Sequence, residues 1–183
     1  MHRFALLLAA VLTVAACDAT NEVPGVGQAG PALAVDSVRV SVSGVETITV
    51  GGITGGSPTA SDTLRLDAGT AYSGVVRAVD DAQDTEIQAE AESYLFTFAV
   101  APGGATVTQT DRESVYAVEN LNDGDYPLGR TFRIEVDDAA SGAATLTVSL
   151  VRYDGAPKSD LTGTGGMVDF SVSVPIFFAA DES

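Results

Sequence analysis

The feature that constrains this chain most is an alternation of apolar and polar residues with a period of two. Val38, Val40 and Val42 alternate with polar residues, and segments 48–50, 64–66, 132–136, 146–150 and 168–174 repeat the pattern. Successive side chains of a β-strand point to opposite faces, so this period gives each strand one apolar face. The sequence therefore predicts many strands that are each buried on one face.

Further strands are predicted at 74–79, 94–100, 106–110 and 115–118, and Gly, Pro, Asp and Ser clusters separate the strands. Strands of this kind at short, regular spacing are typical of all-β domains. We predict an antiparallel β-sandwich, Ig-like or jelly-roll-like, with about nine or ten strands. A closed barrel is the alternative.

One acidic segment departs from the alternation. Residues 84–92 are good helix formers with acids in the first turn, and they predict one short helix. The acids Asp80, Asp81, Asp84 and Glu86 are interpreted as helix capping with Asp84 as the N-cap, and ligand binding is the alternative.

The N-terminus has the pattern of an export signal. Arg3 is followed by an apolar run over residues 4–16 that is too short to span a bilayer as a stable anchor. Residues 12–17 read LTVAAC, which resembles the bacterial lipobox, in which the cysteine is lipidated before cleavage. Cys17 is also the only cysteine, so it has no internal disulfide partner. Ordinary signal cleavage with an incidental thiol is the alternative.

These features predict three regions and a location. Residues 1–16 are a lipoprotein signal peptide, 17–31 the lipidated Cys17 with a flexible Gly- and Pro-containing tether, and 32–183 a single β-sandwich domain. The resemblance implies a lipid anchor in the cell envelope, on the periplasmic or surface face of the outer membrane. Asp18 resembles an inner-membrane retention signal, so that location stays open.

Composition excludes several classes of function. The net charge is −16, with 25 acidic against nine basic residues, which argues against nucleic acid as a partner. The sole histidine, His2, lies in the signal, so the mature chain has no His and no free Cys for triads or zinc sites. A Ser-Lys pair would require Lys158, which lies in a turn-like segment and is expected to face solvent. We therefore predict that the protein is not an enzyme.

The best candidate for a ligand site is the loop at residues 119–129. Asn120, Asn122, Asp123 and Asp125 provide the oxygen ligands that calcium prefers. Asn, Asp, Gly and Pro are equally the residues of turns, so an ordinary connecting loop is the alternative. Calcium is the only cofactor that the sequence suggests.

Two apolar or aromatic sets have core packing as their default interpretation. They are the tyrosines at positions 72, 94, 116, 126 and 153, for which an interaction face is the alternative, and the segment 175–178 (PIFF), for which a docking patch is the alternative.

A weaker resemblance covers residues 60–178. The segments 63–74, 94–98, 123–129 and 145–152 together resemble uncharacterised small envelope lipoproteins of Gram-negative bacteria, some associated with TonB-dependent receptors. The resemblance implies a non-enzymatic protein that binds a partner or ligand, such as an accessory of an outer-membrane transporter. A calcium-stabilised adhesion or polysaccharide-binding module is the second hypothesis, although the chain has no Trp for sugar stacking. A carboxylate-dependent hydrolase is the third.

Overall fold

The computed structural model describes residues 33–116, 125–153, 158 and 161–180, and it confirms an all-β sandwich. Its described part has ten strands and one α-helix. The strands β1 to β10 are Val38–Val42, Thr47–Gly51, Thr59–Ala60, Leu64–Asp67, Ala71–Ala78, Tyr94–Ala101, Ala105–Gln109, Thr131–Val136, Gly142–Arg152 and Met167–Ala179, and the helix α1 is Asp81–Ala89.

The strands form two sheets that pack face to face. The six-stranded sheet has the order β3-β2-β1-β5-β8-β7, and the four-stranded sheet has the order β4-β10-β9-β6. Pairing is antiparallel as predicted, with one exception among the described strands, the parallel pair of β4 with β10. β6 and β7 are consecutive in the chain, yet they belong to different sheets, so the chain crosses between the layers at this point.

The core lies between the sheets, where the apolar residues of the period-two pattern meet. Val40 and Ile134 of the six-stranded sheet and Leu146 and Val172 of the four-stranded sheet are at most 1 % exposed. Burying a side chain of this size stabilises the fold by roughly 1.5–3 kcal/mol. The alternation in the sequence therefore records which face of each strand is buried.

The helix begins earlier than predicted, and Asp84 is not its N-cap. The Asp80 carboxylate accepts hydrogen bonds from the backbone N–H groups of Ala82 (2.9 Å) and Gln83 (3.1 Å) and so caps a helix that starts at Asp81. Both acids precede good helix formers. Asp80 takes the N-cap position because β5 ends at Ala78, so the chain is free to begin a helix directly after Asp80.

The strand predicted at 115–118 is also wrong where the structure describes it. Glu113–Val115 forms a 3₁₀ turn, and residues 117–118 lie outside the described residues. The charged residues that precede it explain this result, because Asp111 and Glu113 are tied to neighbouring segments by side-chain hydrogen bonds.

The default interpretation of the tyrosines and of segment 175–178 as core holds in part. Tyr94 and Tyr153 are buried, whereas Tyr72, Tyr116 and Tyr126 lie half-buried at the margins. Ile176 and Phe178 face the core, while Phe177 points outward with 40 % of its surface exposed and lies 5.6 Å from the Arg65 guanidinium.

Candidate functional site: an open seam between β6 and β7

The two strands that cross between the layers leave an unpaired seam. The N–H of Thr110 donates to the carbonyl of Thr131 (2.9 Å), so even-numbered residues of β7 bond to β8 and odd-numbered ones face the seam. On β6, the N–H of Tyr153 donates to the carbonyl of Ser93 (2.8 Å), so odd-numbered residues bond to β9. The backbone groups of Phe98 on β6 and Val107 on β7 therefore have no strand partner among the described residues.

The seam also exposes part of the core. Phe98, Val100, Ala105 and Val107 pack against the central apolar cluster, yet each remains half-buried. The Phe98 ring lies 4.7 Å from the Phe132 ring, so it is fixed in place by an aromatic contact. Apolar side chains in such a position keep a face available to an additional segment.

A groove of about 390 Å³ follows this seam and the adjoining outer face of β9. Every residue that lines the groove is uncharged, and several of them carry a hydroxyl or an amide. The lining residues are Thr97, Phe98, Ala99, Val107, Gln109, Thr147, Ser149, Leu161 and Thr162. Because no charged side chain lines the groove, an apolar or neutral segment can bind there without burying an unpaired charge.

The chain itself fills one end of the seam. The N–H of Phe96 donates to the carbonyl of Leu128 (2.7 Å), and the carbonyl of Phe96 accepts a hydrogen bond from the Gln109 side-chain amide (3.2 Å). The same amide donates to the carbonyl of Leu161 (3.3 Å). The Gln109 amide thus donates the hydrogen bond that a neighbouring strand would donate to Phe96. Among the described residues, no side chain does the same for the backbone groups of Phe98 and Val107.

Asp111 holds together the segments that end the seam. Its Oδ1 accepts a hydrogen bond from the N–H of Gly129 (2.8 Å), and its Oδ2 accepts from the N–H groups of Arg130 (2.8 Å) and Thr131 (3.1 Å). The Tyr116 hydroxyl donates to the same Oδ2 (3.1 Å). One buried carboxylate therefore fixes the approach to β8 next to Leu128.

Lys158 is buried, contrary to the expectation that it faces solvent. Its ammonium donates to Oε2 of Glu113 (3.1 Å), to the carbonyl of Pro127 (3.1 Å) and to the carbonyl of Ala91. Both charged side chains have no exposed surface. Burial lowers the pKa of Lys158, while the charge of Glu113 opposes this shift. A turn-like sequence predicted exposure, but the buried carboxylate draws the lysine inward.

A second ion pair ties the helix to the same region. Nη2 of Arg130 lies 2.6 Å from Oδ2 of Asp84, and the Gln88 amide donates to that oxygen (2.9 Å). Asp84 is therefore used for tertiary structure, which leaves the capping position to Asp80. Of the four acids that the sequence singled out, Asp80 caps the helix and Asp84 forms an ion pair, while Asp81 and Glu86 are exposed on α1.

The buried charges therefore position segments of the chain. Among the described residues, the Lys158 ammonium donates to three acceptors, and neither side chain of the ion pair has exposed surface, so this amine is poorly placed to exchange protons with a substrate. The network holds residues near the filled end of the seam, because Asp111 bonds to the backbone of residues 129–131 and Glu113 bonds to Lys158.

Tyr116 gives this network a pH dependence. Burial, followed by the charge of Asp111 and the hydrogen bond to it, raises the pKa of Tyr116 from 10.0 to about 12. Below pH 10 the phenol is protonated in both states, so its contribution to stability is constant. Between pH 10 and about 12 only the unfolded chain loses the proton, so the free energy of unfolding falls as the pH rises.

We expect Tyr116→Phe to reduce the slope of that fall. The measurement is chemical denaturation at pH 8 to 12, with tyrosine ionisation followed by absorbance. Burial also raises the pKa of Tyr94, so a residual slope is expected in the variant. Identical slopes in the two proteins would contradict the role assigned to Tyr116.

Of the four candidate calcium ligands, the structure describes only Asp125. Asn120, Asn122, Asp123 and the lipidation candidate Cys17 lie outside the described residues. Asp125 is exposed, and its carboxylate accepts from the Ser114 N–H (3.2 Å) and the Ser114 hydroxyl (2.9 Å). In the part of the chain that the structure describes, no three His, Cys, Asp or Glu side chains come together as a metal site. Calcium binding stays a prediction.

The sequence did not indicate the residues that organise this region. Asp111 and Glu113 belong to a charged run after β7 that looks like an ordinary solvated loop. The available signal was the odd-numbered set of β7, Ala105, Val107 and Gln109, which is less apolar than the buried faces of the other strands. That pattern is consistent with a face that is only half covered.

No protein-family model matches this sequence, and no curated protein matches it. Within the described ranges, the structure contains no helix of the length and hydrophobicity needed to cross a membrane.

Proposed function

We propose that the protein is a lipid-anchored, non-enzymatic module of the cell envelope that binds a partner protein, with an outer-membrane transporter as the first partner to seek. The observation that carries the proposal is the seam between β6 and β7, where backbone groups without a strand partner among the described residues lie beside half-buried core side chains. The lipobox-like sequence ending at Cys17 supports the anchor.

The seam favours an extended segment of a partner as its occupant. A strand that enters it finds N–H and C=O groups of Phe98 on one side and of Val107 on the other, which a helix cannot satisfy. Alternate side chains of that strand would meet the Phe98 ring and, on the opposite face, the hydroxyls of Thr97 and Ser149. The uncharged lining suits a segment with alternating apolar and neutral polar residues.

The test removes one backbone donor from the seam. In Val107→Pro the lost N–H faces the seam and takes no part in the β7–β8 ladder, so the variant is expected to fold. Val107→Thr, which keeps the N–H and nearly the same volume, is the matched control. Thr108→Pro removes a ladder hydrogen bond instead and is expected to cost about 1–3 kcal/mol, because the facing carbonyl loses its donor. Chemical denaturation of the three variants establishes which ones fold.

Binding is measured with the full-length lipidated protein isolated from gently solubilised native membranes. A photoreactive residue at position 107 is expected to cross-link the partner, whereas one at Ser41, on the outer face of the same six-stranded sheet and three strands away from β7, is not. Val107→Thr keeps a stoichiometric partner and Val107→Pro loses it. Cys17→Ser leaves the membrane fraction. A partner that is retained by a folded Val107→Pro protein would contradict the seam, and isolation of the wild-type protein alone would contradict partner binding.

A further inference from the structure

Two arginines lie directly opposite each other on the outer face of the six-stranded sheet. Arg39 of β1 is the cross-strand partner of Arg77 of β5, and Thr49 of β2 is the neighbour of Arg39 on its other side. Directly opposed residues on one face have Cβ atoms about 4.5–5.5 Å apart. Arg39 is half-buried and Arg77 is exposed, and their register places both side chains on the same patch of the outer face.

The arrangement is unexpected in so acidic a chain. Arg130, Arg133, Arg152 and Lys158 each have a carboxylate partner. Among the described residues, no carboxylate lies within ion-pair distance of Arg39 or Arg77. Like charges placed directly opposite each other destabilise a sheet, and the cost decreases when a counter-ion lies between them. The sequence offers 25 acidic residues, yet none of the described ones occupies this position.

The nearest acids at the ends of these strands are used elsewhere. Asp36, which precedes β1, accepts a hydrogen bond from the Thr54 hydroxyl (2.5 Å). Asp80, which follows β5, caps α1. The remainder of the patch provides hydroxyl groups, from Ser41 beside Arg39 and from Thr49 across from it. Guanidinium forks flanked by hydroxyl donors are the chemistry that binds phosphate and sulfate oxygens.

We propose that Arg39 and Arg77 form a binding site for an oxyanion of the phosphate class, held between the two guanidinium groups with the Thr49 hydroxyl as a further donor. The site lies on the six-stranded sheet and does not depend on the seam. Free inorganic phosphate and the phosphate of a lipid headgroup share this chemistry. The site therefore adds a second recognition surface to the domain.

The first arm of the test uses inorganic phosphate and the full-length protein. We expect phosphate to raise the midpoint of thermal unfolding above that in chloride at equal ionic strength, and titration calorimetry to detect binding. Arg77→Gln should weaken phosphate binding at least ten-fold, because the second fork is lost. The matched control is Arg133→Gln on the same sheet face, because Arg133 is already paired with Glu135 (2.9 Å).

Arg77→Glu gives a second measurement if phosphate binding is too weak for calorimetry. A carboxylate opposite Arg39 replaces the repulsion by an ion pair, so this variant should be more stable than the wild type in chloride and indifferent to phosphate. An equal response to phosphate in the wild type, Arg77→Gln and Arg77→Glu would overturn the site. Equal losses in Arg77→Gln and Arg133→Gln would also overturn it, because they would indicate a general charge effect.

The second arm distinguishes the two sources of phosphate. Vesicles containing phosphatidic acid are compared with vesicles of phosphatidylcholine alone, using the protein with Cys17→Ser so that the anchor does not contribute. Arg77-dependent binding to phosphatidic acid assigns the site to a headgroup. Arg77-dependent binding of inorganic phosphate without vesicle binding assigns it to a free phosphate group, and binding to neither overturns the proposal.

Discussion

Replacing Lys158 with methionine is expected to lower the free energy of unfolding by about 3–5 kcal/mol, because removing one member of a buried ion pair leaves the other charge uncompensated. Glu113 has no exposed surface, so water cannot replace the lost ammonium without opening the structure. The carbonyl groups of Pro127 and Ala91 lose the same donor. The measurement is urea denaturation at neutral pH.

Two controls distinguish this effect from a general loss of charge. Arg133→Gln breaks an ion pair whose side chains are 50 % and 64 % exposed, and it is expected to cost less than about 1 kcal/mol. The double variant Lys158→Met with Glu113→Leu removes both charges and should recover much of the lost stability. If Lys158→Met were as stable as Arg133→Gln, the enclosed ion pair would not exist in solution.

Replacing Gly129 with alanine is the second large effect that we expect. Gly129 has a φ of +77°, and a Cβ atom at this position would lie 2.3 Å from the carbonyl oxygen of Phe96. The backbone conformation alone costs about 1–2 kcal/mol for a residue with a side chain. The overlap with a strand carbonyl adds roughly 1–3 kcal/mol, since a backbone atom of β6 cannot rotate away.

Gly44→Ala isolates the first of these costs. Gly44 has nearly the same φ, +78°, but a Cβ atom at this position would have no other atom within 4 Å beyond its chain neighbours. Thermal unfolding of the two variants should therefore show a clearly larger loss for Gly129→Ala. Equal losses would mean that the 129 segment does not approach Phe96 as closely as described, and the filled end of the seam would have to be revised.

The fold was largely predictable because it depends on local regularity. A strand with one buried face requires an apolar residue at every second position, and segments 38–42, 132–136 and 146–150 display this requirement openly. The strands β1, β8 and β9 lie at these positions. The short edge strand β3, Thr59–Ala60, was not predicted, because two residues carry too little pattern.

The candidate site was much less predictable. The position of the site depends on β6 and β7 joining different sheets. The residues of the two strands do not indicate which sheet each strand will join. Lys158 illustrates the same limit, since its position 45 residues after Glu113 gave no sign of the ion pair. An exposed turn lysine and a buried one have the same local sequence, and only the packing of distant segments separates them.

Alternation and composition are properties of short stretches, so they were enough to establish the all-β class, the inward face of most strands and the excess of acid. The lipobox-like end of the chain also predicts an anchor at Cys17. The parallel pairing of β4 with β10, the open seam, the opposed arginines and the enclosure of Lys158 arise only in the folded molecule. All four features depend on which strands become neighbours, and the free energy of the whole packed core determines that pairing.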